Sequence, residues 1–297
     1  MDAGKDGGLM RIGFAGAGKV GFTLGKYMTE HNVYVSGYYS KSVQSAKEAS
    51  VFTKTRYFKT LRELAQASDA IFLTVPDRAI EEVWNELKQY SIKGKCICHC
   101  SGAMDCAVFS GIGQTGASGC SIHPLYAVNS RLQSYQGISE AYFTIEGAKD
   151  YVAFWKEFFE RLGNPVKVIG TEKKILYHSA AVFASNFVTG LFETAVSLLS
   201  ECGFDRESAQ DALQGLFLNN CRQVAEEGAQ NALTGPIERA DTQTVEKHLG
   251  ALWGNEREIY IRLSKALVLI AEQKHPDRSY SELEQLLLEA ERSGKKK

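Results

Sequence analysis

The sequence predicts an α/β chain: a Rossmann-type doubly wound parallel sheet followed by an all-α C-terminal domain. Three observations support this. Short apolar runs alternate with stretches of helical spacing through the first 170 residues, the pattern of a parallel sheet with crossover helices. The first apolar run leads directly into a Gly-x-Gly-x-x-Gly turn, Gly16 to Gly21. Beyond Gly170 the strand-like runs cease, and residues 171–202 hold no proline and a single glycine.

Taken in order, strands are expected at 11–15, 33–39, weakly near 56–58, then at 70–75, 96–100, 120–123, 142–146 and 166–169, with helices crossing between them. Residues 171–202 are expected to form one buried helix about 45 Å long. Asp205 is placed to cap a helix running toward Gly228, and Asp241 one running through Leu252. Asn255 with Glu258 resembles a capping-box start, and residues 282–291 an amphipathic helix. The domain boundary is expected near Gly170, giving a nucleotide-binding domain at 1–170 and a helical substrate and dimerisation domain at 171–297. Residues 1–9, polar and glycine-rich, read as a flexible extension, and Lys295 to Lys297 as a solvated tail.

Composition narrows the function classes. The chain has 297 residues, 44% hydrophobic and 23% charged, with a net charge of −1. That is globular usage, with no global field to attract nucleic acid or an anionic membrane. No apolar window reads as a membrane span, and the N-terminus lacks the apolar stretch of a secretion signal. Seven cysteines, three of them alternating at Cys96, Cys98 and Cys100, suit a reducing compartment, so a cytoplasmic location is expected. Alternate residues of one strand cannot wrap a tetrahedral ion, so no metal is expected despite the neighbouring His99.

The turn is the strongest local signal. Gly16 permits the sharp bend, Gly18 lets the backbone approach a pyrophosphate, and Gly21 lets the helix pack on the strand, while Ala17, Lys19 and Val20 complete the helix start that faces the phosphates. A dinucleotide is the natural ligand. The second strand ends Ser40-Lys41-Ser42, a cation and two hydroxyls where an NAD site would carry a carboxylate, so NADP is preferred. The next strand ends Val75-Pro76-Asp77, with Val75 and Pro76 expected beside the cofactor and Asp77 as a helix cap. Ser101, after the strand carrying His99, and His123, before Pro124, fall at the same ligand-binding edge of the sheet. His123 is suited to contact a carbonyl oxygen.

The long helix carries a polar stripe. Lys174, His178, Ser185 and Thr189 fall within about 60° of one another around its axis, followed by Asn186 and Glu193 within about 120°. Ionisable groups on an otherwise apolar helix point to a wet cleft. Lys174 and His178, one turn apart, are assigned to the reacting carbonyl as proton donor and polarising group. Ser185 and Asn186 are assigned further along the substrate or to a partner subunit, with Asn186 included in the catalytic set.

The segments Gly16-Ala-Gly18-Lys-Val-Gly21, Val75-Pro76-Asp77, His99-Cys-Ser101-Gly102, His123-Pro124, Lys174 to Asn186, and Thr234-Gly235-Pro236 through Arg239 to Asp241 together resemble the predicted NADP oxidoreductases that join a Rossmann-like domain to a C-terminal domain of unknown function. These lie within the 6-phosphogluconate dehydrogenase-like superfamily. The resemblance runs nearly end to end. It implies a catalytic lysine at Lys174, with His178 where the superfamily often has an amide. The His123-Pro124 pair resembles prephenate dehydrogenases. Thr234, Gly235 and Arg239 resemble a carboxylate-binding loop of pyrroline-5-carboxylate reductases that is commonly completed across a homodimer. The family usually shows glycine where Ala240 stands, and arginine more often than lysine at position 41. The activity implied is NADPH-dependent reduction of a small carboxylate-bearing carbonyl compound, with ketopantoate as leading substrate. Imine reduction, prephenate oxidation and a non-enzymatic NADP redox sensor are the competing readings.

Overall fold

A computed structural model describes residues 10–294; the expected flexible extension at 1–9 and the lysine tail at 295–297 lie outside the described residues. The chain divides into two compact units, the first ending at Asn186 and the second beginning at Phe187.

The first unit is built on eight strands: β1 Ile12–Ala15, β2 Val35–Tyr39, β3 Arg56–Tyr57, β4 Ala70–Leu73, β5 Cys96–His99, β6 Ser118–Leu125, β7 Tyr142–Gly147 and β8 Val166–Val168. Around the sheet lie α1 Lys19–Glu30, α2 Val43–Thr53, α3 Leu61–Ala67, α4 Asp77–Leu87, the single turn α5 Ile112–Thr115, α6 Lys149–Arg161 and α7 Lys174–Ala184. The strand order is β3-β2-β1-β4-β5-β6-β7-β8. Strand periodicity sorts the side chains to two faces. Phe14, Phe72 and Cys98 pack with Trp155 on one face, and Ala15, Ile71 and Ile97 with Trp84 on the other. The expected doubly wound parallel sheet is present, with one antiparallel joint where β6 pairs β7, from Cys120↔Gly147 to Leu125↔Tyr142. No helix longer than a single 3-10 turn separates them, so nothing carries the chain back for a parallel crossover.

The alternating cysteines are core residues of this sheet. Cys96, Cys98 and Cys120 are fully buried, and burial pushes the Cys98 thiol up to about 11. Two expected caps differ in detail. Pro76 is the cap position of α4 and Asp77 its first residue. The sheet ends at Val168, close to the change of character at Gly170, but the compact unit continues because α7 reaches back to β6.

The second unit holds α8 Asn186–Glu201, α9 Arg206–Ala232, α10 Thr242–Ala251, α11 Gly254–Lys274 and α12 Ser281–Ser293. α9 is kinked at Gly228, where the backbone leaves helical angles. Asp205 and Asp241 cap α9 and α10 as the sequence suggests, accepting from the Ser208 and Thr244 N–H groups. The start expected at Asn255 is instead Gly254, with Trp253 at the cap position and no side-chain hydrogen bond capping the helix. Val245, Leu249, Ile261, Val268, Leu283 and Leu287 form its core.

The single long helix expected over 171–202 is two helices. Ser185, at φ −130° and ψ −73°, interrupts it, and the Ser185 hydroxyl donates to the Ala181 carbonyl at 2.7 Å, competing with the backbone ladder. Lys174 is buried, at 1% exposed, but the apolar face expected to be buried is not, with Ile175 and Leu176 at 66% and 68% exposed. By length and a mean hydropathy of 1.4, Thr171–Glu201 passes the length and composition measure of a membrane-crossing helix, although it holds no run of 18 continuous apolar residues and is broken at Ser185. The same stretch carries the exposed Glu193, paired with Arg206 at 2.8 Å, and the buried Lys174, features of a helix that meets both water and protein.

Candidate active site

The carboxyl ends of β1, β2 and β4 enclose a cavity of about 360 Å³. Gly16, Ala17 and Gly18 line its floor, Ser40, Lys41 and Ser42 one wall, and Val75 and Pro76 the other. Lys19, Val20, Gly21 and Ser101 do not line it. The three glycines have separable reasons. Gly16 has a φ of +118°, and a side chain there would strike the Thr74 backbone at 2.6 Å. A side chain on Gly21 would meet the Gly16 carbonyl at 2.6 Å, the same oxygen that accepts from the Thr74 hydroxyl. Gly18 is different: its φ is −84°, it is exposed, and the nearest atom to a side chain there would be 3.8 Å away. The protein's own packing does not require glycine at 18. A cradle kept open over the N-terminus of α1 does, and it fits a pyrophosphate.

The segment that follows β2 holds no carboxylate of its own, but one from elsewhere in the chain reaches its cation. Lys41 Nζ donates to Glu82 Oε1 at 2.7 Å, and Glu82 and Glu86 of α4 both line the cavity. The hydrogen bond to Glu82 raises the Lys41 pKa.

Beside this cavity the turn after β5 is fixed through Ser101. Its hydroxyl donates to Asp77 at 2.7 Å and accepts from the Ala103 and Met104 N–H groups. Ser101 is thus occupied within the protein and joins the β5 turn to the end of β4. His99 is likewise satisfied at both nitrogens, by the Ser101 N–H and the Asp105 carbonyl, and burial holds its pKa down to about 4.

The next residue in that turn, Gly102, is where the histidines meet. A side chain there would lie 2.6 Å from His178 Nδ1 and 3.0 Å from His123 Nε2. The two imidazoles therefore converge on Gly102 at the carboxyl edge of the sheet. His123 Nδ1 is bonded to the Tyr177 hydroxyl at 2.7 Å, and the rings meet edge to face. Burial, with Lys174, His178 and His99 close by, holds the His123 pKa down to about 3, so the ring is neutral at physiological pH. His178 Nδ1 is buried and bonds to no protein group.

Lys174 sits beneath this pair. Its ammonium donates to Ser121 Oγ at 2.6 Å and lies over the Tyr177 ring. Burial lowers its pKa, and the nearby Glu146 carboxylate opposes that shift. Glu146 is itself buried, accepting from the Cys106 N–H and the Thr171 hydroxyl. The structure thus gathers Lys174, His178 and His123, but leaves the rest of the stripe outside. Ser185 and Asn186 are exposed and bonded to each other at 3.3 Å. Thr234, Gly235 and Arg239 belong to the second unit, in a loop where Gly235 has a φ of +100° and Arg239 N–H donates to the Gly235 carbonyl.

Glu146, Tyr177 and Glu82 were not legible as site residues. Tyr177 had the best signal, one helical turn from Lys174.

Residues 3–124 match the Rossmann-like domain family and residues 141–267 the domain of unknown function DUF2520. No curated protein matches the chain. Among solved structures, protein TM1727 of Thermotoga maritima is similar at 25% identity, with 89% of this chain and 99% of that one covered and a TM-score of 0.71. A candidate NADP oxidoreductase of Bacteroides fragilis is similar at 23% identity, over 88% and 98% of the two chains, with a TM-score of 0.69. The NADP-bound pyrroline carboxylate reductase of Plasmodium falciparum shares the fold at 16% identity, over 87% and 98%, with a TM-score of 0.56. A stretch matching the Rossmann-like family is therefore followed by one matching DUF2520, the pairing that the sequence motifs resemble.

Proposed function

We propose that the protein is an NADPH-dependent oxidoreductase that reduces a small carbonyl or imine bearing a carboxylate. One observation carries this reading: two imidazoles converge on Gly102 at the sheet edge that also holds the open glycine cradle. The solved relatives named above as an NADP oxidoreductase and as an NADP-bound pyrroline carboxylate reductase support the same class.

The bound nicotinamide would supply the hydride. The chain supplies orientation and polarisation. With the Tyr177 phenol donating to His123 Nδ1, the proton of the neutral ring sits on Nε2, aimed at the space before Gly102. A neutral N–H donor there polarises a carbonyl oxygen without competing for its substrate's carboxylate. His178 Nδ1, with no protein partner, faces the same oxygen and delivers its proton. Lys174, enclosed and bonded to Ser121, acts as a positioning residue that holds α7 to β6 and adds positive potential beneath the pair. Ser40, Lys41 and Ser42 take the 2′-phosphate, and within the second unit Arg239 with the Thr234-Gly235 loop forms a carboxylate-binding loop. A second copy covers the exposed Ile175 and Leu176, giving a homodimer in the cytoplasm.

The test is NADPH consumption against a panel of 2-keto acids, ketopantoate among them, and cyclic imines, with NADP reduction by prephenate as the third arm. Oxidation of NADPH with one of the first two groups is expected. Tight NADPH binding with no turnover anywhere on the panel would contradict the enzyme and favour a redox-sensing binding protein.

A further inference from the structure

The adenosine end of the dinucleotide cleft carries charges of both signs. Lys41 is the one base among the described residues lining it, and Glu82 and Glu86 are two acids. Glu86 is engaged elsewhere, accepting from the Tyr90 hydroxyl at 2.6 Å. Glu82 is engaged with Lys41 itself, at 2.7 Å across the cavity from β2 to α4.

This matters for which dinucleotide fits. A 2′-phosphate carries close to two negative charges and needs a cation at the end of β2. Here that cation already has a carboxylate partner, and a bound phosphate would have to displace Glu82 and then lie beside it. A ribose without the phosphate meets the opposite situation, since a carboxylate there accepts from its free hydroxyls. The pair is largely exposed, at 70% and 65%, so water and salt weaken it enough for a ligand to open it.

We propose that Glu82 is the specificity-determining residue of the cleft, occupying Lys41 and drawing the protein away from strict preference for 2′-phosphorylated dinucleotides toward use of the unphosphorylated form as well. This rests on the reading of the cleft as a dinucleotide site, and the experiment separates the two. NADPH and NADH are titrated by fluorescence against the wild-type protein and against Glu82→Gln, whose exposed position leaves folding intact, with circular dichroism as the check. The substitution is expected to tighten NADPH about five-fold at low salt, to leave NADH equal or weaker, and to lose its effect as salt is raised. Unchanged or weaker NADPH binding in the variant would overturn the assignment to Glu82. Failure of both dinucleotides to bind the wild-type protein would overturn the dinucleotide reading, and this inference with it.

Discussion

Gly102 is the residue on which the site geometry turns. It is glycine because two imidazole nitrogens stand within about 3 Å of the place its side chain would occupy. A methyl group there would push both rings aside while leaving the sheet untouched, since its clashes are with side-chain ends and not with backbone. Gly102→Ala is therefore expected to lower kcat/KM by about a hundred-fold while the circular dichroism spectrum stays that of the wild type. Full activity in the variant would show that the paired rings take no part. Ala240 makes the complementary point. Its φ of 56° is left-handed, a conformation that costs a residue with a side chain about 1 kcal/mol, so Ala240→Gly removes strain at that turn.

The helices differ in how they are held. α7 is tied to the sheet by polar contacts at its first turn, Lys174 to Ser121 and Tyr177 to His123, and not by the apolar residues that dominate its sequence. In the second unit, Arg257 of α11 is buried and reaches the carboxyl ends of two neighbours, donating to the Leu249 carbonyl of α10 and to the Ala290 carbonyl of α12. Helix ends expose carbonyls with partial negative charge, so the guanidinium satisfies them and is compensated in return. Arg257→Met is expected to destabilise the protein by about 2 to 4 kcal/mol, seen as a lower urea midpoint. An unchanged midpoint would mean that these contacts contribute nothing net.

At the same scale, what the sequence reveals is local. Asp205, Asp241 and the glycine turn were readable because their partners lie within a few residues. The break at Ser185 was not, because a serine inside a helix bonds back to the preceding turn without any change in apolar spacing. The site contacts that matter most join residues far apart: Lys41 with Glu82, Lys174 with Ser121, and His123 with Tyr177. Strand ends and helix spacing place Lys174 and His123 at one edge, but only the packed sheet shows which of them is enclosed and which faces Gly102.

For the whole molecule, the buried histidines link stability to pH. His99 and His123 have folded-state pKa values of about 4 and about 3, against an ordinary value of 6.5. Between these limits the unfolded chain binds protons that the folded chain refuses, so stability falls as pH drops from about 6.5 toward 4 and is untouched by these groups above about 7. Urea midpoints should be level from about pH 7 to 8 and clearly lower at about pH 5; a flat profile down to pH 5 would show that both rings accept protons without cost.

The central claim is that the His123 ring, set by Tyr177 and facing Gly102, acts on the group being reduced. The direct measurement is the steady-state rate of NADPH oxidation by His123→Ala, with the carbonyl or imine the wild-type protein turns over, alongside a titration of NADPH binding. Binding is expected to match the wild type while kcat/KM falls by about a hundred-fold or more. Wild-type turnover by this variant would contradict the account.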